Sequence, residues 1–148
     1  MDKNKYLIAL SESPQTDFGR IDFDDQGEEQ RVFSAVWALE GQVNNGGFAQ
    51  YFSSHDGDTA NFASAALRKI GASKCASIIE RALQCVSQEP LPNDKLLREQ
   101  LIKSLGDERS KELASLDSEF YQYPDNLTEL LFAYVAANPE IFGRFEEI

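Results

Sequence analysis

The sequence of 148 residues predicts an all-α protein, a single domain built as a bundle of six or seven helices. Apolar residues recur every three or four positions in successive stretches, which is the period of one face of an α-helix. No stretch alternates apolar and polar residues as a half-buried strand does. Short links containing Gly, Pro, Asn or Asp separate the periodic stretches, and links of this length place consecutive helices side by side.

The central helix is predicted over residues 28–42, at the start of a helical region that extends over residues 28–148. Residues 1–27 belong to the same domain, as an extended arm or as a short helix that ends at Pro14 and leads into a loop. From residue 15 to residue 29 the chain is polar and acidic, which indicates a loop or a loosely docked segment. The apolar stripe of the central helix consists of Val32, Phe33, Val36, Trp37 and Leu39, and the anchors of the acidic segment are Phe18, Ile21 and Phe23.

A sharp corner follows the central helix, at Asn44-Asn45-Gly46-Gly47. Asn visits left-handed backbone geometry readily and Gly adopts positive φ without a Cβ clash, so these four residues are predicted to close the helix. We interpret the corner as structural, with the Asn amides pairing backbone groups that the broken helix exposes. The alternative is that it presents amides to a ligand. The motif continues through Phe48, Gln50, Tyr51 and Phe52, and its three rings share one helical face that must be buried.

Five further helices are predicted after the polar cluster at residues 53–59, which is expected to cap the first of them. That helix stops at Gly71, and the next begins almost at once. Later helices start at Asn93, at Asp107, and at Asp125 or Asn126. Their inward faces are formed by Leu97, Leu101, Ile102 and Leu105, by Leu113, Leu116 and Phe120, and by Leu127, Leu130, Leu131, Tyr134 and Val135, before Pro139 leads into Ile141, Phe142 and Phe145.

The charge is strongly negative and unevenly distributed. There are 25 Asp and Glu against 14 Lys and Arg, a net charge of −11. Residues 1–67 hold 11 acids and 4 bases, residues 68–111 hold 6 and 9, and residues 112–148 hold 8 and 1. This field disfavours direct binding to nucleic acid or to an anionic membrane and favours a basic protein partner. The simpler interpretation is that acidity only keeps the protein soluble.

Two sets of carboxylates are candidates for binding such a partner. In the second set, Glu108, Glu112 and Glu119 fall on one helical stripe. Carboxylates four residues apart lie about 6 Å apart along a helix, comparable with the spacing of phosphates on a nucleic-acid strand, so the row could imitate a DNA backbone. The alternative is an ordinary solvated face. The complete sets are Asp17, Asp22, Asp24, Asp25, Glu28 and Glu29, and Glu108, Glu112, Asp117, Glu119, Asp125 and Glu129.

No catalytic, metal-binding or cofactor-binding site is predicted, so an enzyme is the least favoured class. His55 is the only histidine, and the residues around Asp56 and Asp58 lack the oxygen-ligand spacing of a calcium loop. Cys75 and Cys85 are predicted on one helix about 15 Å apart, too far for a disulfide, and are expected as reduced core thiols. The sequence has neither a signal-peptide core nor an apolar run of about 20 residues, so we expect a cytoplasmic protein with no membrane span.

The corner and several later segments carry a resemblance to a known family. They are Asn-Asn-Gly-Gly-Phe at residues 44–48, Gln50-Tyr51-Phe52, Ala66-Leu67, Ile70-Gly71-Ala72, Leu116–Tyr121, Leu130-Leu131, Tyr134-Val135 and Asn138-Pro139. Together they resemble a bacterial domain family of unknown function that includes a neisserial DNA-mimic protein. The resemblance implies an all-helical fold and, from the mimic member, an acidic dimer that occupies the DNA-binding surface of a transcription factor. It brings no established catalytic residues.

We consider three functions. The first is an acidic interaction protein, in its sharpest form a DNA mimic, that binds a basic DNA-binding protein through the two acidic sets. The second is a small-molecule-binding or catalytic domain that uses Asn44, Asn45, Gln50 and His55. The third is an acidic immunity or antitoxin-like protein, which differs from the first only in its partner. A continuous acidic strip favours the first and third, whereas a deep pocket at the corner favours the second.

Overall fold

A computed structural model describes residues 1–144, and it confirms the all-α class. Within these residues there are eight α-helices, two short 3₁₀ turns and no β-strand. The helices are α1 (Lys3–Ser11), α2 (Glu28–Ser53), α3 (Ala60–Lys69), α4 (Ser73–Val86), α5 (Lys95–Lys103), α6 (Asp107–Tyr121), α7 (Leu127–Ala136) and α8 (Pro139–Phe142), with 3₁₀ turns at Phe23–Asp25 and His55–Thr59.

Helix α2 is the centre of the bundle and packs against α3, α5, α6 and α7. It is kinked, because Gly46 (φ −166°, ψ 19°) and Gly47 (φ 82°, ψ −176°) leave the helical region and the helix resumes at Phe48. The conformation of Gly47 is one that essentially only glycine adopts. The predicted corner is therefore real, but the helix before it is longer than predicted, since Asn44 and Asn45 remain helical.

Helix α6 supplies hydrogen-bond partners for the backbone groups that the kink leaves unpaired. The amide N–H of Phe48 donates to Asp117 Oδ1 at 2.8 Å, and the Tyr121 hydroxyl donates to the carbonyl of Val43 at 2.7 Å. Asp117 and Tyr121 are four residues apart and so share one face of α6. The prediction that Asn amides pair these backbone groups is wrong, because Asn44 Nδ2 donates instead to the Tyr123 hydroxyl at 2.6 Å.

The aromatic face after the corner is buried, as predicted. Phe48, Tyr51 and Phe52 have no solvent exposure, and the Phe48 ring packs edge to face on Phe120 of α6 with centroids 6.0 Å apart. The Tyr51 hydroxyl hydrogen-bonds the Thr59 hydroxyl at 2.6 Å, which satisfies the one polar atom in this cluster. The face thus joins α2 to α6 on one side and to the second 3₁₀ turn on the other.

A buried arginine closes the far end of α2. Arg98 of α5 is 1% exposed, and its guanidinium donates to the carbonyls of Phe52 and Ser54 at 2.9 and 3.0 Å, where α2 ends. Two further carbonyls, in the link before α5, accept at 3.0 and 2.7 Å. Free carbonyls at a helix end carry partial negative charge, so a cation is well placed there. These bonds hold α5 and the link before it against the end of α2.

Several sequence-based expectations change in detail. The chain start is helical, as α1, and α5 is capped by Asp94 rather than by Asn93. Leu97 was expected to face inward but is 48% exposed, because Arg98 occupies the buried position. In the cluster at residues 53–59, Ser53 ends α2 and His55–Thr59 form a 3₁₀ turn, and no side chain of the cluster caps α3. The remaining boundaries agree, including the stop at Gly71 (φ 90°) and the cap at Asn126, and Phe145 lies outside the described residues.

We expect opposite effects from alanine at two glycines of α2. Gly47→Ala places a methyl group against the Asp117 carboxylate in a conformation closed to alanine, and should lower the free energy of unfolding by about 1–3 kcal/mol. Gly41 lies in regular helix, and an added Cβ there meets nothing within 4 Å. Gly41→Ala should therefore raise the free energy by about 0.5–1 kcal/mol. Urea unfolding measures both, and equal stability of the two variants would contradict the role assigned to Gly47.

Candidate functional site

Four members of the first acidic set lie on the acidic loop, residues 17–27, which is firmly held, and Glu28 and Glu29 begin α2. Gln30 of α2 bridges the loop, donating to the carbonyl of Gln15 and accepting from the amide of Asp17, both at 2.9 Å. Gln26 is buried, donates to the carbonyl of Ile21 at 2.9 Å and accepts from the Ser34 hydroxyl at 2.7 Å. Of the two alternatives for this segment, the loop is confirmed and loose docking is wrong, since buried side-chain bonds fix its path.

Of the three expected apolar anchors of the loop, Phe23 is the buried one. Its ring meets Phe62 of α3 edge to face, with centroids 5.8 Å apart. The guanidinium of Arg31 lies over both rings, 4.5 Å from the Phe23 centroid and 4.8 Å from the Phe62 centroid. Phe18 is half-buried and Ile21 is 45% exposed.

The acidic loop and the second 3₁₀ turn enclose a cleft of about 280 Å³. The exposed carboxylates Asp22, Asp24 and Asp25 lie on the loop, and Asp22 lines the cleft together with His55, Asp56 and Asp58 of the turn. Burial raises the pKa of the Asp58 carboxyl, the charges of Asp56 and Asp24 add to the increase, and His55 and Arg98 oppose it. Asp56 and Asp58 of the turn therefore add two carboxylates to those of the loop. From the sequence, these turn residues were predicted only to cap a helix.

The second acidic set is distributed along α6, α7 and the link between them, and two of its six carboxylates bind backbone inside the protein. Asp117 accepts from the amide of Phe48, and Asp125 Oδ2 accepts from the amide of Cys75 at 2.8 Å, in the first turn of α4. Both carboxylates are half-buried. Each satisfies a backbone donor that would otherwise be unpaired, which is a structural role.

Two more carboxylates of the second set are neutralised by bases. Arg81 of α4 donates to both oxygens of Glu119, at 2.8 and 3.1 Å, and lowers the pKa of that carboxyl. Lys3 of α1 pairs with Glu129 at 2.6 Å. Glu108 and Glu112 are exposed and form no ion pair with residues 1–144. The predicted stripe of carboxylates on α6 is thus interrupted at Glu119, which is paired with an arginine from the basic segment at residues 68–111.

The residues proposed for a small-molecule site are not brought together. Asn44 borders a groove of about 270 Å³ between α1 and α2, whereas His55 borders the acidic cleft. Gln50 donates to Gln42 at 3.1 Å, and Asn45 is exposed. Gly47 and Phe48 are buried, so the corner itself is packed. No group of three or more His, Cys, Asp or Glu with the geometry of a metal site occurs among residues 1–144.

The groove contains polar residues that sequence analysis did not identify. Glu40 accepts from the Tyr123 hydroxyl at 2.8 Å, and that hydroxyl in turn accepts from Asn44. Burial raises the pKa of Glu40, although the bond from Tyr123 opposes the increase. The available signal was a carboxylate three residues after Trp37, at the edge of the predicted apolar stripe.

Comparison with known proteins decides the family. A family model described as "DMP19-like protein" matches residues 24–138. The chain belongs to the DMP19-like family. The DMP19-like region includes α2 to α7, the second 3₁₀ turn and the first one except Phe23, and leaves α1 and α8 outside. No curated protein and no solved structure matches the chain. Within the described part of this DMP19-like chain, no helix is both long and apolar enough to cross a membrane.

Asp117→Ala should destabilise the protein, because it removes the acceptor for the Phe48 amide at the kink. A hydrogen bond to a charged group stabilises a protein by about 1–3 kcal/mol, and leaving a buried donor without a partner costs a similar amount. We therefore expect the free energy of unfolding to decrease by about 1–3 kcal/mol. Ser118→Ala, at the neighbouring exposed position, is the matched control and should change stability by less than about 0.5 kcal/mol. Urea unfolding of both variants decides, and equal stability would contradict the assigned role.

The pH dependence of stability should report the same carboxylate. Burial raises the pKa of Asp117, and the Phe48 amide opposes the increase. The folded state therefore holds this proton more tightly than the unfolded chain, so the stability that the bound proton adds is present below about pH 4 and is lost as pH rises through the raised pKa, while the bond to the Phe48 amide remains. Asp117→Asn does not titrate. Its free energy of unfolding minus that of the wild type should increase over this window and be constant above it, and a flat difference would refute the assignment.

Proposed function

We propose that this DMP19-like chain is a non-catalytic, acidic interaction protein that binds the basic surface of a DNA-binding protein, as a DNA mimic does. The observation that carries the proposal is a set of exposed, unpaired carboxylates on a loop whose path is fixed by buried side chains. The family membership supports the mimic form, as does the resemblance to a family that includes a DNA-mimic protein.

The bases nearest to the acidic loop do not neutralise it. Arg20 donates to the carbonyls of Glu12 and Ser13 at 2.7 and 3.2 Å, at the end of α1. Arg31 is held between two phenylalanine rings. No ion pair within residues 1–144 involves Asp22, Asp24 or Asp25. These carboxylates are thus free to pair with the lysines and arginines of a partner.

The fixed path of the loop also favours binding, in addition to its unpaired carboxylates. A segment that must be ordered on association loses conformational entropy, which lowers affinity. The bonds from Gln26 and Gln30 hold the acidic loop in place before any partner arrives. Asp56 and Asp58 extend the negative surface across the cleft. We therefore assign the main contact to the acidic loop and the second 3₁₀ turn, and a smaller one to Glu108 and Glu112.

Capture from a bacterial lysate tests the proposed class of partner. Immobilised protein should retain basic DNA-binding proteins at about 50 mM NaCl and release them at about 300 mM, because exposed charges are screened over a shorter distance as salt increases. Duplex DNA added at low salt should release the same proteins if they are bound through their DNA-binding surfaces. Mass spectrometry identifies them and also distinguishes an immunity or antitoxin-like role, in which one toxin would be retained. Retention of no basic protein at low salt would refute the proposal.

A charge-matched pair of variants tests the location of the surface. Asp22→Asn/Asp24→Asn/Asp25→Asn changes the net charge from −11 to −8, as does Glu12→Gln/Glu89→Gln/Glu140→Gln at exposed positions outside the cleft. Three exposed pairs of about 0.5 kcal/mol each amount to about tenfold in affinity for a captured partner. We expect this loss in the first variant and little change in the second. Equal losses would indicate a response to net charge alone.

A further inference from the structure

The groove between α1 and α2 is separate from the acidic cleft and has its own chemistry. Each wall is one face of a helix. The two residues on α1 are four positions apart, and the residues on α2 lie three, four and seven positions after the first of them. It occupies about 270 Å³ and is lined by Asn4, Ile8, Trp37, Glu40, Gly41 and Asn44. It therefore combines an indole ring, a carboxylate and two amides with an aliphatic side chain that is 41% exposed.

A glycine keeps this groove open. Gly41 lies inside regular helix, where glycine is less favourable than alanine. No close neighbour accounts for it, because a Cβ at Gly41 would meet nothing within 4 Å. By contrast, Gly46, Gly47 and Gly57 each face an atom that an added Cβ would approach too closely. Packing inside the protein thus explains those glycines and does not explain Gly41, which lines the groove, so that a side chain at this position would enter it.

The carboxylate of Glu40 is half-satisfied. Oε2 accepts from the Tyr123 hydroxyl at 2.8 Å, which fixes the side chain, and no donor within residues 1–144 reaches Oε1. No lysine or arginine in the described chain pairs with Glu40. Asn44 donates its amide nitrogen to Tyr123, so its carbonyl oxygen is available as an acceptor beside the carboxylate. Two acceptors without donors therefore lie next to an aromatic ring.

We propose that the groove binds the side chain of an arginine from a protein partner. A guanidinium is planar and carries several donors, so it can stack on an indole and donate to a carboxylate and an amide oxygen at the same time. Trp37 already stacks on Phe33, with centroids 5.6 Å apart and planes 16° apart, so its orientation is set before binding. The inference rests on the proposed function only for the source of the arginine.

Trp37 is the only tryptophan, so fluorescence excited at a wavelength that the five tyrosines do not absorb reports on the surroundings of this ring. The probe is arginine blocked at both ends, as N-acetyl-arginine methylamide, and the neutral control is the citrulline analogue of the same shape. We expect a saturable change with an affinity on the order of 1–10 mM for the arginine probe, as befits so small a ligand. The citrulline analogue should give none. An absent or equal response would overturn the proposal, and equal affinity for blocked lysine would overturn the assignment to arginine.

Two variants separate binding from folding. Glu40→Gln keeps the shape and an acceptor for Tyr123 but removes the charge, and should weaken the probe at least tenfold. Gly41→Leu fills the groove and should abolish the saturable response, with a melting temperature equal to or above that of the wild type. Glu89→Gln, an equal change of charge at an exposed position outside the groove and outside both acidic sets, is the control and should bind as the wild type does. Undiminished binding by Gly41→Leu would overturn the proposal.

The outcomes for the groove and for the acidic loop can be told apart. The fluorescence titration uses a small probe and needs no partner, whereas capture from a lysate depends on the loop carboxylates. Failure of the probe with successful capture overturns the groove assignment and leaves the proposed function intact. Binding of the probe with failed capture overturns the proposed function and leaves the groove assignment intact.

Discussion

The pairing of α6 with the kink in α2 is the interaction on which the fold depends. A helix broken at Gly46-Gly47 leaves a donor at Phe48 and an acceptor at Val43, and one face of α6 satisfies both, through Asp117 and Tyr121. Without these bonds the break would expose polar backbone in the core. With them the direction of α2 changes at one fixed point. The aromatic face after the break is consequently buried against α6 and the second 3₁₀ turn.

This arrangement also determines which carboxylates remain available to a partner. Asp117 and Asp125 bind backbone amides, and Glu119 is paired with Arg81, so much of the acidity of α6 and the following link is used within the bundle. The acidic loop contributes to the fold through Gln26 and Gln30 instead, and its aspartates stay exposed. A high negative charge in the sequence thus divides into a structural part and a surface part, and only the second can resemble a phosphate backbone.

Local signals predicted the helices well, because periodicity and glycine positions are read from neighbouring residues. The corner, the buried face at Phe48, the end of α3 and the start of α7 all follow from such signals. The partners do not. Asp117 and Phe48 are 69 residues apart, and Arg81 and Glu119 are 38 apart, so only tertiary packing selects them. Periodicity also placed Leu97 inside, whereas the free carbonyls at the end of α2 favour a buried Arg98 in the neighbouring position.

The two thiols of α4 provide a means of following the protein's motions. Cys75 and Cys85 are buried, and burial raises the pKa of Cys75 to about 12 and that of Cys85 as well. Only a thiolate reacts readily with alkylating reagents or oxidants, so both sulfurs are inert while α4 is in place. They lie near opposite ends of that helix, one beside Asp125 and the other beside Glu112. Their separate rates of alkylation therefore measure how often each end of α4 opens to solvent.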